Sequence, residues 1–142
     1  MAELVAHRLR DPSCSFRASG ALVLGLPRGG IPVAASVADA LGAPLDVLVV
    51  RKIGVPWQPE LALGAVGENG AIVLNDGVVS ASGVGPEEVD ALIRRASHEV
   101  EQIVAELRPA AGPPDVADRT VIVVDEGVAT GATARAAAKI LQ

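Results

Sequence analysis

Residues 120–133, TVIVVDEGVATGAT, constrain the fold of this chain more than any other stretch. The apolar first half has the length and β-branched content of a strand buried on both faces, and the Ala-rich segment behind it reads as a helix. A strand must therefore turn into a helix across a few small residues. At such a turn the backbone N–H groups of Val128, Ala129, Thr130, Gly131, Ala132 and Thr133 are free to converge on an anion, with the positive end of the helix dipole behind them. Gly127 and Gly131 relax the backbone, and the Thr130 and Thr133 hydroxyls add uncharged donors. Asp125 and Glu126 stand where the strand ends, and carboxylates there accept from a sugar diol or bind its metal ion. Acidic pairs also serve as solvated strand ends and glycine turns as plain reversals. Here, though, phosphate donors lie directly beside sugar acceptors, which describes a site for a ribose 5-phosphate.

The rest of the chain supplies a setting for that turn. Residues 21–26 (ALVLGL) read as a short buried strand, followed by PRGGIP and an apolar pattern at Val33, Ala34, Val37, Ala38 and Leu41. That spacing is helical, with Pro32 near its start and Gly42 at its end. Residues 45–50 (LDVLVV) read as a second buried strand and residues 71–74 (AIVL) as a third. Between them, residues 53–70 are rich in Gly and Pro and read as an irregular loop with a ribbon at residues 61–66. Residues 86–107 form the clearest helix, with Glu87 and Glu88 in the first turn and Pro109 as its stop. Strands alternating with helices predict one α/β domain over residues 1–142 with a mostly parallel sheet in three α/β/α layers.

Composition excludes several classes. The chain has 142 residues, 50% of them hydrophobic, with one Trp, one Phe and no Tyr, so platforms for base stacking are missing. A formal net charge of −5 also argues against nucleic acid, and no apolar run approaches a membrane span. Cys14 is the single cysteine, so the chain is expected to fold without disulfides in a reducing cytoplasm. His7 and His98 read as solvent-facing.

A second turn repeats the placement of the first. Residues 26–30 (LPRGG) follow the first strand as the small-residue turn follows the last. Adjacent Gly29 and Gly30 let the backbone approach a ligand, and Arg28 offers a guanidinium fork suited to diphosphate oxygens. Arg51 and Lys52 close the second strand.

The apolar strand, two acids and T-G-x-T turn resemble the signature of the type I phosphoribosyltransferases, from residue 21 onward. The resemblance implies that Asp125 and Glu126 bind the ribose hydroxyls of 5-phosphoribosyl 1-diphosphate (PRPP), and the metal indirectly through them or through water. Residues 127–133 would hold the 5-phosphate. It makes Pro27, Arg28, Gly29 and Gly30 the diphosphate loop, with a non-proline cis peptide between Pro27 and Arg28, and Lys52, with Arg51 second, a further diphosphate contact. The first and last strands become sheet neighbours, so both turns flank a switch point in the strand order, where α/β sheets bind ligands. Residues 54–70 fall where related enzymes have a flap, of which Trp57 is an anchor or a surface contact.

The implied reaction displaces diphosphate from the ribose C1 by a ring nitrogen, with Mg²⁺ as cofactor and a nucleobase-like acceptor. Ala129 stands where enzymes for 6-oxopurines carry an Asp, which disfavours hypoxanthine and guanine. Family members continue with further strands and a hood that grips the base, whereas this chain stops at Gln142. It therefore reads as a C-terminally short member whose last strand is an open edge, either covered by a partner chain in a homodimer or left bare in a truncated and weakly active chain. A non-catalytic PRPP-binding regulator of the same fold is the alternative. A dinucleotide-binding oxidoreductase is disfavoured, because no G-x-G-x-x-G follows the first strand.

Overall fold

The computed structural model describes residues 20–110, 112–127 and 132–142. His7, Cys14, Val128, Ala129, Thr130 and Gly131 lie outside the described residues. The fold is α/β, and the chain divides into two units, each described by itself.

The first unit is built from the described residues of Met1–Leu48 and Pro114–Ala129. Strand β1 (Leu22–Gly25) leads into helix α1 (Gly30–Leu41), which is followed by β2 (Leu45–Val47). The last strand of the chain, β6 (Val121–Val124), closes a parallel three-stranded sheet of order β2-β1-β6. Its register pairs Leu22 with Val121 and Gly25 with Val124, so the two strands end level with each other. The expectation that the first and last strands are neighbours is borne out. Every residue of β1 is buried, as a central strand covered on both faces must be. Ala34, Val37 and Ala38 of α1 pack on Val23 and Val124. Gly25 permits the close approach, since a Cβ there would lie 3.0 Å from the Ala34 methyl. Gly42 ends α1 in the left-handed conformation, and the Ala43 N–H reaches back to the Ala38 carbonyl at 3.0 Å, which satisfies a carbonyl left open at the helix end. Among the described residues β6 is an edge of this sheet, and Val121, Ile122 and Val123 are half-buried.

The second unit comprises the described residues of Val49–Pro113 and Thr130–Gln142. Here β3 (Val50–Val55) and β4 (Gln58–Gly67) form a hairpin, and β5 (Ile72–Leu74) pairs antiparallel with β4. Helices α2 (Asp76–Ser82), α3 (Pro86–Leu107) and α4 (Ala132–Ile140) complete the unit. Val49, Ile53, Val55, Leu63 and Val66 make one core with Val89, Ala96, Val100 and Ile103 of α3. Pro86 starts α3 and Glu87 and Glu88 occupy its first turn, as expected.

Three expectations are corrected. The strand expected at residues 45–50 is two pieces in two sheets: the Leu48 N–H still bonds the Gly25 carbonyl at 3.1 Å, while the Val49 N–H is taken at 2.8 Å by the Glu68 carboxylate. The run LDVLVV is apolar throughout apart from Asp46, so no change in pattern marks the switch. The loop expected at residues 53–70 is mostly a hairpin, because Pro56 sits in its turn and Pro59 in a bulge, so neither breaks the strands. Gly54 pairs with Ala62 and Val55 with Gln58, which leaves residues 59–61 bulged out with Pro59 at an unpaired position. A Cβ on Gly54 would lie 2.5 Å from the Pro59 carbonyl oxygen, so glycine is required there. The strand expected at residues 71–74 is present but antiparallel. Helix α2 has no counterpart among the sequence expectations, although Asn75 caps it by accepting from the Val78 N–H at 3.4 Å.

Candidate functional site

The site candidates of the first unit meet at the C-terminal ends of β1 and β6. The Leu26 N–H donates to the Val124 carbonyl at 2.9 Å, extending the strand pairing one residue past β1 and fixing where the next loop begins. The Pro27–Arg28 peptide is cis, in agreement with the expectation drawn from the resemblance. The Gly30 N–H then donates to the Leu26 carbonyl at 3.0 Å and α1 starts. Arg28 is exposed, and Gly30 is buried against the neighbouring strand end. A Cβ on Gly30 would lie 2.8 Å from the Val124 carbonyl oxygen and 3.0 Å from the Asp125 Cα. Only glycine fits between these backbones.

The two acids follow directly. Asp125 is half-buried, and its Oδ1 accepts from the Glu126 N–H at 2.8 Å, which orients the carboxylate on its own backbone. Glu126 is exposed and folds over the loop of the adjacent strand: a Cβ on Gly29 would lie 1.6 Å from its Oε2. A carboxylate therefore rests on the glycine face of the Pro27–Gly30 loop. Gly127 is exposed with open space around it. Pro27, Arg28, Gly29, Gly30, Asp125, Glu126 and Gly127 are thus brought to one sheet edge. Ala132 and Thr133 belong to the first turn of α4 in the second unit.

Arg51 and Lys52 also belong to the second unit, as neighbours on β3. Successive strand residues point to opposite faces, so the two cations part company. Arg51 turns towards α3, where its Nε lies 3.7 Å from Glu99 Oε2, and Arg95 holds the other Glu99 oxygen at 3.4 Å. Lys52 Nζ lies 3.7 Å from Glu60 Oε2 in the bulge of β4. Trp57 is 62% exposed at the hairpin turn, which makes it a surface residue. His98 is exposed and pairs with Gln102 at 3.1 Å, as expected of a solvent-facing histidine.

Two groups carried no signal in the sequence. Glu60 sits in a bulge that no periodicity reveals. Glu68 is buried, accepting from the Val49 N–H through one oxygen and from Arg108 through the other. Arg108 lies forty residues on, beyond the end of α3, so only the fold joins them.

A family model described as a phosphoribosyl transferase domain matches residues 1–142. This chain belongs to the phosphoribosyl transferase domain family. It is 50% identical over 119 residues to "Putative phosphoribosyl transferase Rv0571c" of Mycobacterium tuberculosis strain H37Rv, and equally to its counterpart MT0597 in strain CDC 1551. Each match covers 84% of this chain and 27% of the relative, so the chain spans about a quarter of the length of the curated relatives it matches. The crystal structure of TT1426 from Thermus thermophilus is similar over 99% of this chain and 65% of that one, with a TM-score of 0.74 and 36% identity. Family membership and the α/β fold with its parallel sheet therefore agree with the family resemblance and the fold class expected from the sequence. No described helix is long and apolar enough to cross a membrane.

Proposed function

We propose that the chain carries a phosphoribosyltransferase site that binds PRPP and transfers its phosphoribosyl group to a nitrogen of a nucleobase-like acceptor, releasing diphosphate. The observation that carries this reading is the seating of the Glu126 carboxylate on Gly29, which joins the diphosphate loop and the acidic pair at one sheet edge. In this reading Asp125 and Glu126 accept from the ribose hydroxyls, and Arg28 with the backbone of Gly29 and Gly30 takes the diphosphate. Lys52 adds a cation to the leaving group once it exchanges Glu60 for phosphate oxygens. Gly127, Val128, Ala129, Thr130, Gly131, Ala132 and Thr133 hold the 5-phosphate. The chemistry asks the protein mainly to position both partners and to balance charge where it develops: negative on the departing diphosphate and positive on the ribose ring.

The donor set fits Mg²⁺. The two acids offer hard oxygen ligands, and no group of three or more metal-binding side chains occurs among the described residues. This suits an ion that keeps waters and substrate oxygens rather than an all-protein cage. Bound there through Asp125 and Glu126, it would supply charge neutralisation for the diphosphate.

Calorimetry with PRPP and Mg²⁺, followed by diphosphate release with a panel of nucleobases, tests the reading. Saturable binding that weakens about tenfold or more in D125N/E126Q is expected, since charge-assisted hydrogen bonds are lost. Absence of binding in the wild-type chain would refute it. Binding without release for any base would make the chain a PRPP-binding regulator instead.

A further inference from the structure

The second unit holds a cavity of about 140 Å³ between the antiparallel sheet and α4. Its floor comes from Gly64, Ala65 and Val73 and its rim from Asn75, Arg135 and Lys139. Leu63 and Val66 of β4 belong to the core with α3, whereas Gly67 meets Ile140, so β4 also carries a side covered by α4. Ala62 and Ala65 line it from β4 and Ala136 from α4, short side chains that leave room between the sheet and the helix. Dispersion contacts are lost along such a gap unless something occupies it.

The rim is chemically one-sided. Arg135 and Lys139 stand four residues apart on α4, one helical turn, where like charges repel. Both are exposed, and neither has a counter-ion among the described residues, although the chain carries 17 acids against 12 bases. Asn75 accepts from the Val78 N–H through its Oδ1 as the cap of α2, which leaves its amide NH₂ to donate. Two cations and an amide donor thus stand beside apolar groups in one cavity.

From this arrangement we infer that the cavity is a second binding site, separate from the proposed phosphoribosyl site, for a small oxyanion. A void of roughly 150 Å³ accepts benzene, so the space suits a ligand of about six heavy atoms, such as a phosphate or a short-chain carboxylate. Arg135 takes two oxygens with its planar fork, Lys139 adds a point charge, and Asn75 closes the third side.

Amide NMR of the whole chain, titrated separately with inorganic phosphate and with propionate, tests the assignment. Saturable shifts at Gly64, Val73 and Asn75 are expected with at least one probe, and whichever probe acts identifies the ligand as phosphate or carboxylate. In R135Q/K139Q the midpoint rises about tenfold or more, because two charge-assisted contacts are lost. Shifts at Gly29, Gly30 and Glu126 keep their own midpoint in that variant, which separates this site from the proposed phosphoribosyl site. R135Q alone gives a smaller rise and serves if the double variant folds poorly. No shift at the three amides with either probe, or the same midpoint in the variants, overturns the inference.

Discussion

The loop between β1 and α1 and the hairpin between β3 and β4 both depend on a glycine that admits a neighbouring backbone, yet they are held by different means. Gly30 lets the loop lie against the end of β6, where strand pairing already sets the distance through the Leu26 to Val124 hydrogen bond. Gly54 lets the hairpin accept a bulge at residues 59–61, and the far end of that hairpin is tied down by a buried ion pair, Glu68 with Arg108. In the first region the backbone builds the candidate site, so its tolerance to change is set by backbone clearance. In the second, charge buried among apolar neighbours decides whether the element stays put.

The largest effect should come from that pair. The two side chains are only 6% and 8% exposed, and Glu68 also accepts from the Val49 N–H where the chain leaves the parallel sheet. Glu68→Ala takes the carboxylate from a buried guanidinium, which keeps the Gly112 carbonyl, and leaves the Val49 N–H without its acceptor, and losing one partner of a buried pair costs about 3–5 kcal/mol, with the lower end expected here. Urea denaturation measures it as a lower midpoint at constant slope. A loss of about 1 kcal/mol or less would place the pair among ordinary surface contacts and erase the contrast between the regions.

Next is the pair of adjacent glycines in the β1–α1 loop. Gly30→Ala pushes a methyl group to within 2.8 Å of the Val124 carbonyl oxygen, and the atoms it meets are backbone, with Val124 held by strand pairing. Overpacking of this kind costs about 1–3 kcal/mol. Gly29→Ala meets only the end of a flexible, exposed Glu126 side chain, so its stability cost stays within about 0.5 kcal/mol. Thermal unfolding of the two variants should rank them in that order. Equal losses would show that Glu126 is fixed as firmly as the backbone beside it.

The same contrast explains what the sequence reveals. The strands near residues 21–26 and 120–124 and the helix over residues 86–107 are legible because their signals are local: continuous apolar runs, one apolar face, Pro86 and two acids at the helix start. The PRGG and DEG turns are legible for the same reason, since a strand feeding a helix through small residues leaves backbone donors open. The break inside residues 45–50 is not, because it depends on Glu68 capturing the Val49 amide from nineteen positions away. Gly54 and Pro59 read as breakers individually and fit together only as the two sides of a bulge. Arg51 and Lys52 look equivalent on paper, and only their assignment to β3 sends one to Glu99 and the other to Glu60.

The smallest effect sharpens the comparison from the other side. Lys52 and Glu60 form an ion pair at 3.7 Å in the same unit as Glu68 and Arg108, but the Glu60 side chain is 79% exposed. Water screens such a pair, and the entropy of holding two long side chains offsets most of the attraction, so Glu60→Gln should cost about 0–1 kcal/mol. Added salt should shrink that difference further, since about 10 Å of screening at 0.1 M reaches an exposed pair and not a buried one. Denaturation of Glu60→Gln and Glu68→Ala at low and high salt separates the two cases. A salt-sensitive Glu60 and a salt-insensitive Glu68 would mean that burial, and not charge alone, fixes the hairpin. Equal salt responses would mean that water reaches both pairs and that the hairpin is held by its apolar core.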